Sequence, residues 1–165
     1  MEYIFLDKET FLKNPNYWED IILEFHKNNG CYYKKEDFHL KQAIEEWGTN
    51  YVIALENNKI VCLARYALVY GRKTIYMLRQ IDTLKEWQGK GIATNAILFA
   101  HKNFEKTKAT KLIAAVDSGN IASIKLHKKC GYEEKQPPLY IKNDKNRFWQ
   151  GALYFEKTIE KNYEL

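Results

Sequence analysis

Apolar and polar positions follow two rhythms along this chain, a period near two and a period near three and a half, and the changes between them divide it into elements. Residues 2–6 make a short first strand. Residues 16–28 place Trp18, Ile21, Ile22 and Phe25 on one helical face, and Pro15 is a helix-start signal. Residues 36–47 repeat the helical spacing with Phe38, Leu40, Ile44 and Trp47, and Gly48 stops them. Three extended segments follow, 50–56, 59–70 and 74–84, joined by Asn57-Asn58 and by Gly71-Arg72. Asparagine and glycine tolerate the positive φ of tight turns, so these three predict an antiparallel meander. The third strand carries apolar residues on both parities, Ile75, Met77 and Ile81 against Tyr76, Leu78 and Leu84, which suits burial on both faces.

The rhythm then changes for good. Ile92, Ala96, Phe99, Ala100 and Phe104 form one helical stripe within 92–107. A strand at 111–116 precedes a helix that starts in the Ser118-Gly119-Asn120 turn and ends at Gly131, a left-handed cap. Strand, helix, strand implies a parallel pair joined through the helix. The tail has a segment at 132–142, interrupted by Pro137-Pro138. A last antiparallel strand is expected at 147–157 with Trp149, Leu153 and Phe155.

Two stretches carry chemistry. Gln88-Gly89-Lys90-Gly91-Ile92-Ala93 lies where the buried strand gives way to a helix. The first turn of a helix has unpartnered N–H groups and partial positive charge, and glycines let a diphosphate approach that backbone. Gln88 adds a neutral donor and Lys90 a cation. A nucleotide P-loop needs Gly-Lys-Ser/Thr after four residues, and a dinucleotide fingerprint needs another glycine register; neither fits. The second stretch runs from Asn120 to Tyr132, with Asn120, Ser123 and His127 spaced three and four apart on one helical face.

The pair of stretches, in this order and about thirty residues apart, resembles the GNAT superfamily of N-acetyltransferases. The run from Ala122 to Tyr132 is also similar to the phosphinothricin-type branch. The resemblance implies an α/β (α+β) fold. Its sheet is mixed, mostly antiparallel, of six or seven strands, with a splayed parallel central pair and about four flanking helices. It implies that acetyl-CoA enters the splay and is held by Ile81, Thr83, Gln88, Gly89, Lys90, Gly91, Ile92, Ala93, Asn120 and Ser123. Many members place a tyrosine, the acid for the departing thiolate, where this chain has His127, so His127 is the expected catalytic residue; a histidine donates a proton near neutral pH. The family pattern departs at Lys85, where many members have proline. No general base stands out. Asp82 and Glu86 lie at the strand end and read as solvated turn carboxylates. Cys130 reads as a packed thiol. Tyr32, Tyr33, Tyr66, Tyr70 and Tyr76 are candidates to line an acceptor pocket.

Bulk properties narrow this further. A chain of 165 residues with 45% hydrophobic residues is one domain, 1–165, with a real core. Three cysteines, Cys31, Cys62 and Cys130, have no metal spacing and suit a reducing cytoplasm, so no metal is expected. No apolar run approaches membrane-spanning length, and the start is too short for a signal peptide. The net charge of +5 fits an anionic partner, yet arginine occurs only at 65, 72, 79 and 147. Major-groove reading leans on arginine, so a phosphorylated cofactor is preferred to nucleic acid. The expectation is a cytoplasmic acetyl-CoA-dependent N-acetyltransferase for a primary amine of a small molecule or peptide, as a monomer or homodimer. The alternatives are an acyl-CoA-binding sensor without turnover and a basic nucleic-acid-binding domain.

Overall fold

The computed structural model describes residues 1–142 and 151–161. Among these residues seven strands form one sheet in the order β1-β2-β3-β4-β5-β7-β6. These are β1 (Glu2–Leu6), β2 (Asn50–Glu56), β3 (Lys59–Leu68), β4 (Ile75–Thr83), β5 (Lys111–Asp117), β6 (Glu133–Lys135) and β7 (Ala152–Thr158). The helices are α1 (Lys8–Lys13), α2 (Pro15–Asn28), α3 (Leu40–Glu45), α4 (Ile92–Phe104), α5 (Ile121–Lys129) and α6 (Leu139–Lys142). All strand pairs are antiparallel except β4 with β5. The mixed sheet and the four expected helices are present. Two short helices, α1 and α6, add to them; Asp7 caps α1 by accepting from the Thr10 N–H at 2.8 Å.

Alternation sorts the sheet into two faces. Tyr51, Ile53, Leu55 and Leu63 pack under α1, α2 and α3 with Phe11, Ile22 and Phe25. Val52, Ala54, Cys62, Ala64, Tyr66 and Leu78 pack under α4, whose Ile92, Ala96, Ile97, Ala100 and Phe104 are buried. Phe104 meets the rings of Phe5, Tyr66 and Tyr76 at 4.9–5.1 Å between centroids, tying β1, β3 and β4 to one helix end.

Three expectations change. The helix expected at 36–47 is a single 3-10 turn, Lys35–Asp37, followed by α3 from Leu40. Phe38 leaves the helical path because its ring packs against His26 and Tyr33, each 5.9 Å away between centroids. The segment 132–142 is the edge strand β6 and then α6, begun after Pro138. Of the last strand, Leu153 and Phe155 lie in β7 as expected, while Trp149 falls outside the described residues.

Under α4 and α5 lies a buried polar group. His101 Nε2 is 3.3 Å from the Tyr132 hydroxyl, and the His127 ring stands edge-on to Tyr132 at 5.1 Å. Burial, with help from Lys157 and His127, lowers the His101 pKa from 6.5 to about 4. The unfolded chain therefore binds more protons between those values, so stability is complete above 6.5 and is lost as pH falls toward about 4. A 2–3 unit difference corresponds to roughly 3 kcal/mol. Urea unfolding at stepped pH should show this loss, and His101→Phe should flatten it.

Candidate functional site

The parallel pairing of β4 with β5 lasts from Ile75↔Lys111 to Met77↔Ile113 and then stops. Beyond it the strands part. On its other edge β4 stays paired with β3 through Thr83, but with one residue too many: Tyr66 faces Leu78 and Arg65 faces Gln80, so Arg79 is a bulge. A bulge bends and twists its strand, here at the point where β5 is left behind. The strand was expected to be buried on both faces. Only Met77 and Leu78 are; residues 79–83 are half-buried because the neighbouring strand has gone.

Leu84 N–H donates to Val61 O across to β3 at 2.9 Å. Backbone groups alternate along a strand, so those of Asp82 and Gln80 also face β3, and those of Ile81 and Thr83 face the gap. The gap is a cleft of about 150 Å³ lined by Gln80, Ile81, Ala114, Ser123 and His127 among others. Ile81, Ser123 and His127 are thus brought together.

His127 differs from the partly exposed helix histidine its lysine neighbours suggest. It is 2% exposed and packed against Tyr132 and Phe155. Its Nδ1 lies 2.7 Å from the Ser123 carbonyl oxygen. A carbonyl only accepts, so the proton sits on Nδ1, and Nε2 presents a lone pair. Nε2 is buried and has no hydrogen-bond partner among the described residues. Burial lowers the pKa of this imidazole, against the raising effect of the Ser123 bond. Its resting form near neutral pH is the neutral ring, a proton acceptor at Nε2. Direct donation from a protonated ring, as expected from the sequence, does not match that state.

The loop follows β4 without interval. Gly89 and Gly91 have φ of 75° and 78°, and Gly91 is the N-cap of α4 with no side-chain cap. Among the described residues nothing accepts from the N–H groups of Gly89, Gly91, Ile92 or Ala93, and the first helical bond is Asn95 N–H to Gly91 O at 3.1 Å. A Cβ added at either glycine would meet nothing within 4 Å. The loop thus presents bare N–H groups to open space at a helix N-terminus, which fits an anion. Ile92 adds only its backbone, since its side chain is in the core. Lys90 Nζ stands 4.8 Å over the Trp87 ring. Gln88 was expected to donate to the anion; instead its Nε2 donates to Thr83 O at 3.1 Å and braces the loop to the strand end. Asn120 caps α5, its Oδ1 accepting from Ser123 N–H at 3.1 Å, and does not line the cleft.

On the other face of the sheet lies a cavity of about 230 Å³, walled by Tyr33, Phe38 and Trp47 and floored by Tyr51, Arg65 and Gln80. Gln80 lines both the cavity and the cleft. Of the candidate pocket tyrosines only Tyr33 lines this cavity. Tyr66 is wholly buried core, Tyr70 is 95% exposed, Tyr32 is exposed, and Tyr76 packs on Phe104. Asp82 is not a free turn carboxylate, because Gln80 Nε2 donates to it at 2.6 Å. Glu86 stays exposed and Cys130 is buried, as read. The sequence reading missed Arg65, Gln80, Tyr51 and His26. An arginine within a nearly all-apolar strand was the available signal for the first.

The arrangement agrees with the comparisons to known proteins. Residues 16–132 match the acetyltransferase (GNAT) family. No curated protein sequence matches the chain. An acetyltransferase of the GNAT family from Streptococcus pneumoniae is similar in structure at 16% identity, with a TM-score of 0.68 over 96% of this chain and 100% of that one. An aminoglycoside 6'-N-acetyltransferase solved with coenzyme A is similar at 14% identity and a TM-score of 0.64, over 99% and 100%. The ribosomal-protein-alanine N-acetyltransferase of Brucella melitensis is similar at 20% identity and a TM-score of 0.64, over 96% and 99%. Among the described residues no helix is long and apolar enough to cross a membrane, and no cluster of ligating side chains could hold a metal.

A side chain at positive φ is strained even in open space, typically by about 1 kcal/mol for alanine in place of glycine. Gly91→Ala should lower the urea midpoint accordingly, although no protein atom stands in its way. With the loop, the splay and the family match together, this chain belongs to the GNAT acetyltransferase family.

Proposed function

We propose that residues 1–165 form one acetyltransferase domain that moves an acetyl group from acetyl-CoA directly to a primary amine. The observation that carries this reading is the juxtaposition in the splay. Backbone groups of Ile81 and Thr83 face a gap without a strand partner, and His127, whose buried Nε2 has no partner among the described residues, lines the same cleft. Family membership supports acetyl transfer, and a similar fold has been solved with coenzyme A.

When bound, acetyl-CoA supplies an activated acyl thioester. The N–H groups of Gly89, Gly91, Ile92 and Ala93, with the Lys90 ammonium, hold its diphosphate. Gln88 acts one step back by fixing the loop on Thr83 O. Ile81 offers N–H and C=O to the amide-bearing arm, and Thr83, whose carbonyl is taken by Gln88, offers its N–H, which polarises the acyl carbonyl. Ser123 Oγ, 3.4 Å from His127 Nδ1, lies beside the same arm, and Asn120 offers its Nδ2 from the helix cap. The amine approaches from the cavity past Gln80. As its nitrogen bonds to the acyl carbon and the C–S bond breaks, one proton leaves nitrogen and one must reach sulfur. His127 Nε2 takes the first and returns it as the second, which suits an imidazole whose resting form is neutral.

The test is release of free thiol from acetyl-CoA across an amine panel. His127→Phe keeps the packing on Tyr132 and Phe155 but removes Nε2. It should lower kcat and kcat/KM together by about 10²–10⁴-fold. Acetyl-CoA affinity by calorimetry should stay unchanged. Because burial lowers this pKa, the acid limb of the wild-type pH profile should lie below 6.5 and disappear in the variant. Full kcat in His127→Phe would make the residue a packing element.

Gly91→Val tests the loop separately. It should weaken acetyl-CoA binding strongly in a folded protein, and undiminished affinity would remove the loop from the binding site. Binding of acetyl-CoA without thiol release from any amine would favour a sensor.

A further inference from the structure

The cavity on the α2–α3 face holds a cation that nothing in the fold explains. Arg65 lies on β3 in the cross-strand row Tyr51↔Arg65↔Gln80, so the three side chains share one face and floor the cavity. Its Nε is buried and has no hydrogen-bond partner among the described residues. Among the described residues no carboxylate lies within 4.0 Å of its guanidinium, although Asp37 lines the same cavity and Asp82 follows Gln80 on the same face. Asp82 is engaged by the Gln80 amide. A half-buried cation without a partner is unfavourable, and folded proteins rarely keep one without use. The guanidinium fork matches a carboxylate in two parallel hydrogen bonds.

We propose that the acceptor is a small amine that also carries a carboxylate, held by Arg65, with an apolar side chain between the aromatic walls. This deepens the acetyl-transfer reading and rests on it. Cross-strand neighbours stand about 5 Å apart, so a small molecule held by the Arg65 guanidinium also reaches Gln80. With the carboxylate on Arg65, the amine lies at Gln80, the residue that the cavity shares with the cleft, and on the side of the Asp82 carboxylate. Tyr33, Phe38, Leu40 and Trp47 are left for the side chain. A volume of about 230 Å³ admits one amino acid. The reaction is the one already written: the amine nitrogen gains the acyl carbon and loses a proton, the C–S bond breaks, and sulfur is protonated.

Calorimetry on the full chain decides it, with L-leucine and L-phenylalanine set against leucinamide, phenylalaninamide and phenethylamine. The acids should bind at least tenfold tighter than their amides. Arg65→Met should abolish that preference without lowering Tm, because it removes an uncompensated charge. Arg65→Lys keeps the charge without the fork and should retain only part of it, which keeps the test open if the methionine variant fails to fold. Equal binding of acids and amides, or a preference that survives Arg65→Met, overturns the proposal. Acid-selective binding without thiol release from acetyl-CoA upholds the carboxylate site and overturns acetyl transfer. Thiol release that ignores the carboxylate does the reverse.

Discussion

Backbone N–H and C=O groups that leave water must find partners, and β4 has no strand partner on one edge beyond Met77. Three residue pairs join it to β5, and then the parallel ladder ends although both strands continue. The rest of the site follows from that gap. The Arg79 bulge keeps β4 on β3 while it turns from β5. Helix α5 closes one side of the opening and carries His127 into it. Helix α4 begins where β4 ends, so its unpaired first turn and the open strand edge lie next to each other.

The two faces of the sheet differ in the ionisable groups they hold. Under α4 and α5 burial favours neutral rings: His101 beside Tyr132, and His127 with its proton turned to the Ser123 carbonyl. Burial also raises the Tyr66 and Tyr132 phenols, so they stay protonated. Under α2 and α3 the sheet keeps a permanent charge, Arg65, among aromatic walls. His26, which lines that cavity, is lowered by burial, with nearby Asp82 pulling the other way. Proton exchange suits the first environment and recognition of an anion suits the second, with Gln80 between them.

The strands other than β6, with α2, α4 and α5, were legible because their periods are local. Glycines at positive φ marked the loop for the same reason. The break before α3 was not legible, since Phe38 leaves the helical path for the His26 ring on α2 and the Tyr33 ring in the connecting loop, contacts outside the helical period. His127 was legible by helical phase, but its tautomer was not, because that depends on a carbonyl within its own helix turn and on burial by Phe155 from β7. Arg65 and Gln80 acquire meaning only through register: fifteen residues separate them, and the bulge at Arg79 decides that they face each other. Gln88 was read as a ligand for an anion because its side chain can donate, and it is spent on Thr83 O instead.

That bond braces the end of β4 against the start of α4. Gln88 spans five residues to hold Thr83, the 3-10 turn Lys85–Trp87 fills the interval, and Lys90 lies on Trp87. The open strand edge and the bare helix terminus are therefore held a set distance apart, like the jaws of a gauge. A long flexible molecule touching both must at least span that interval, and a shorter one can satisfy one end only.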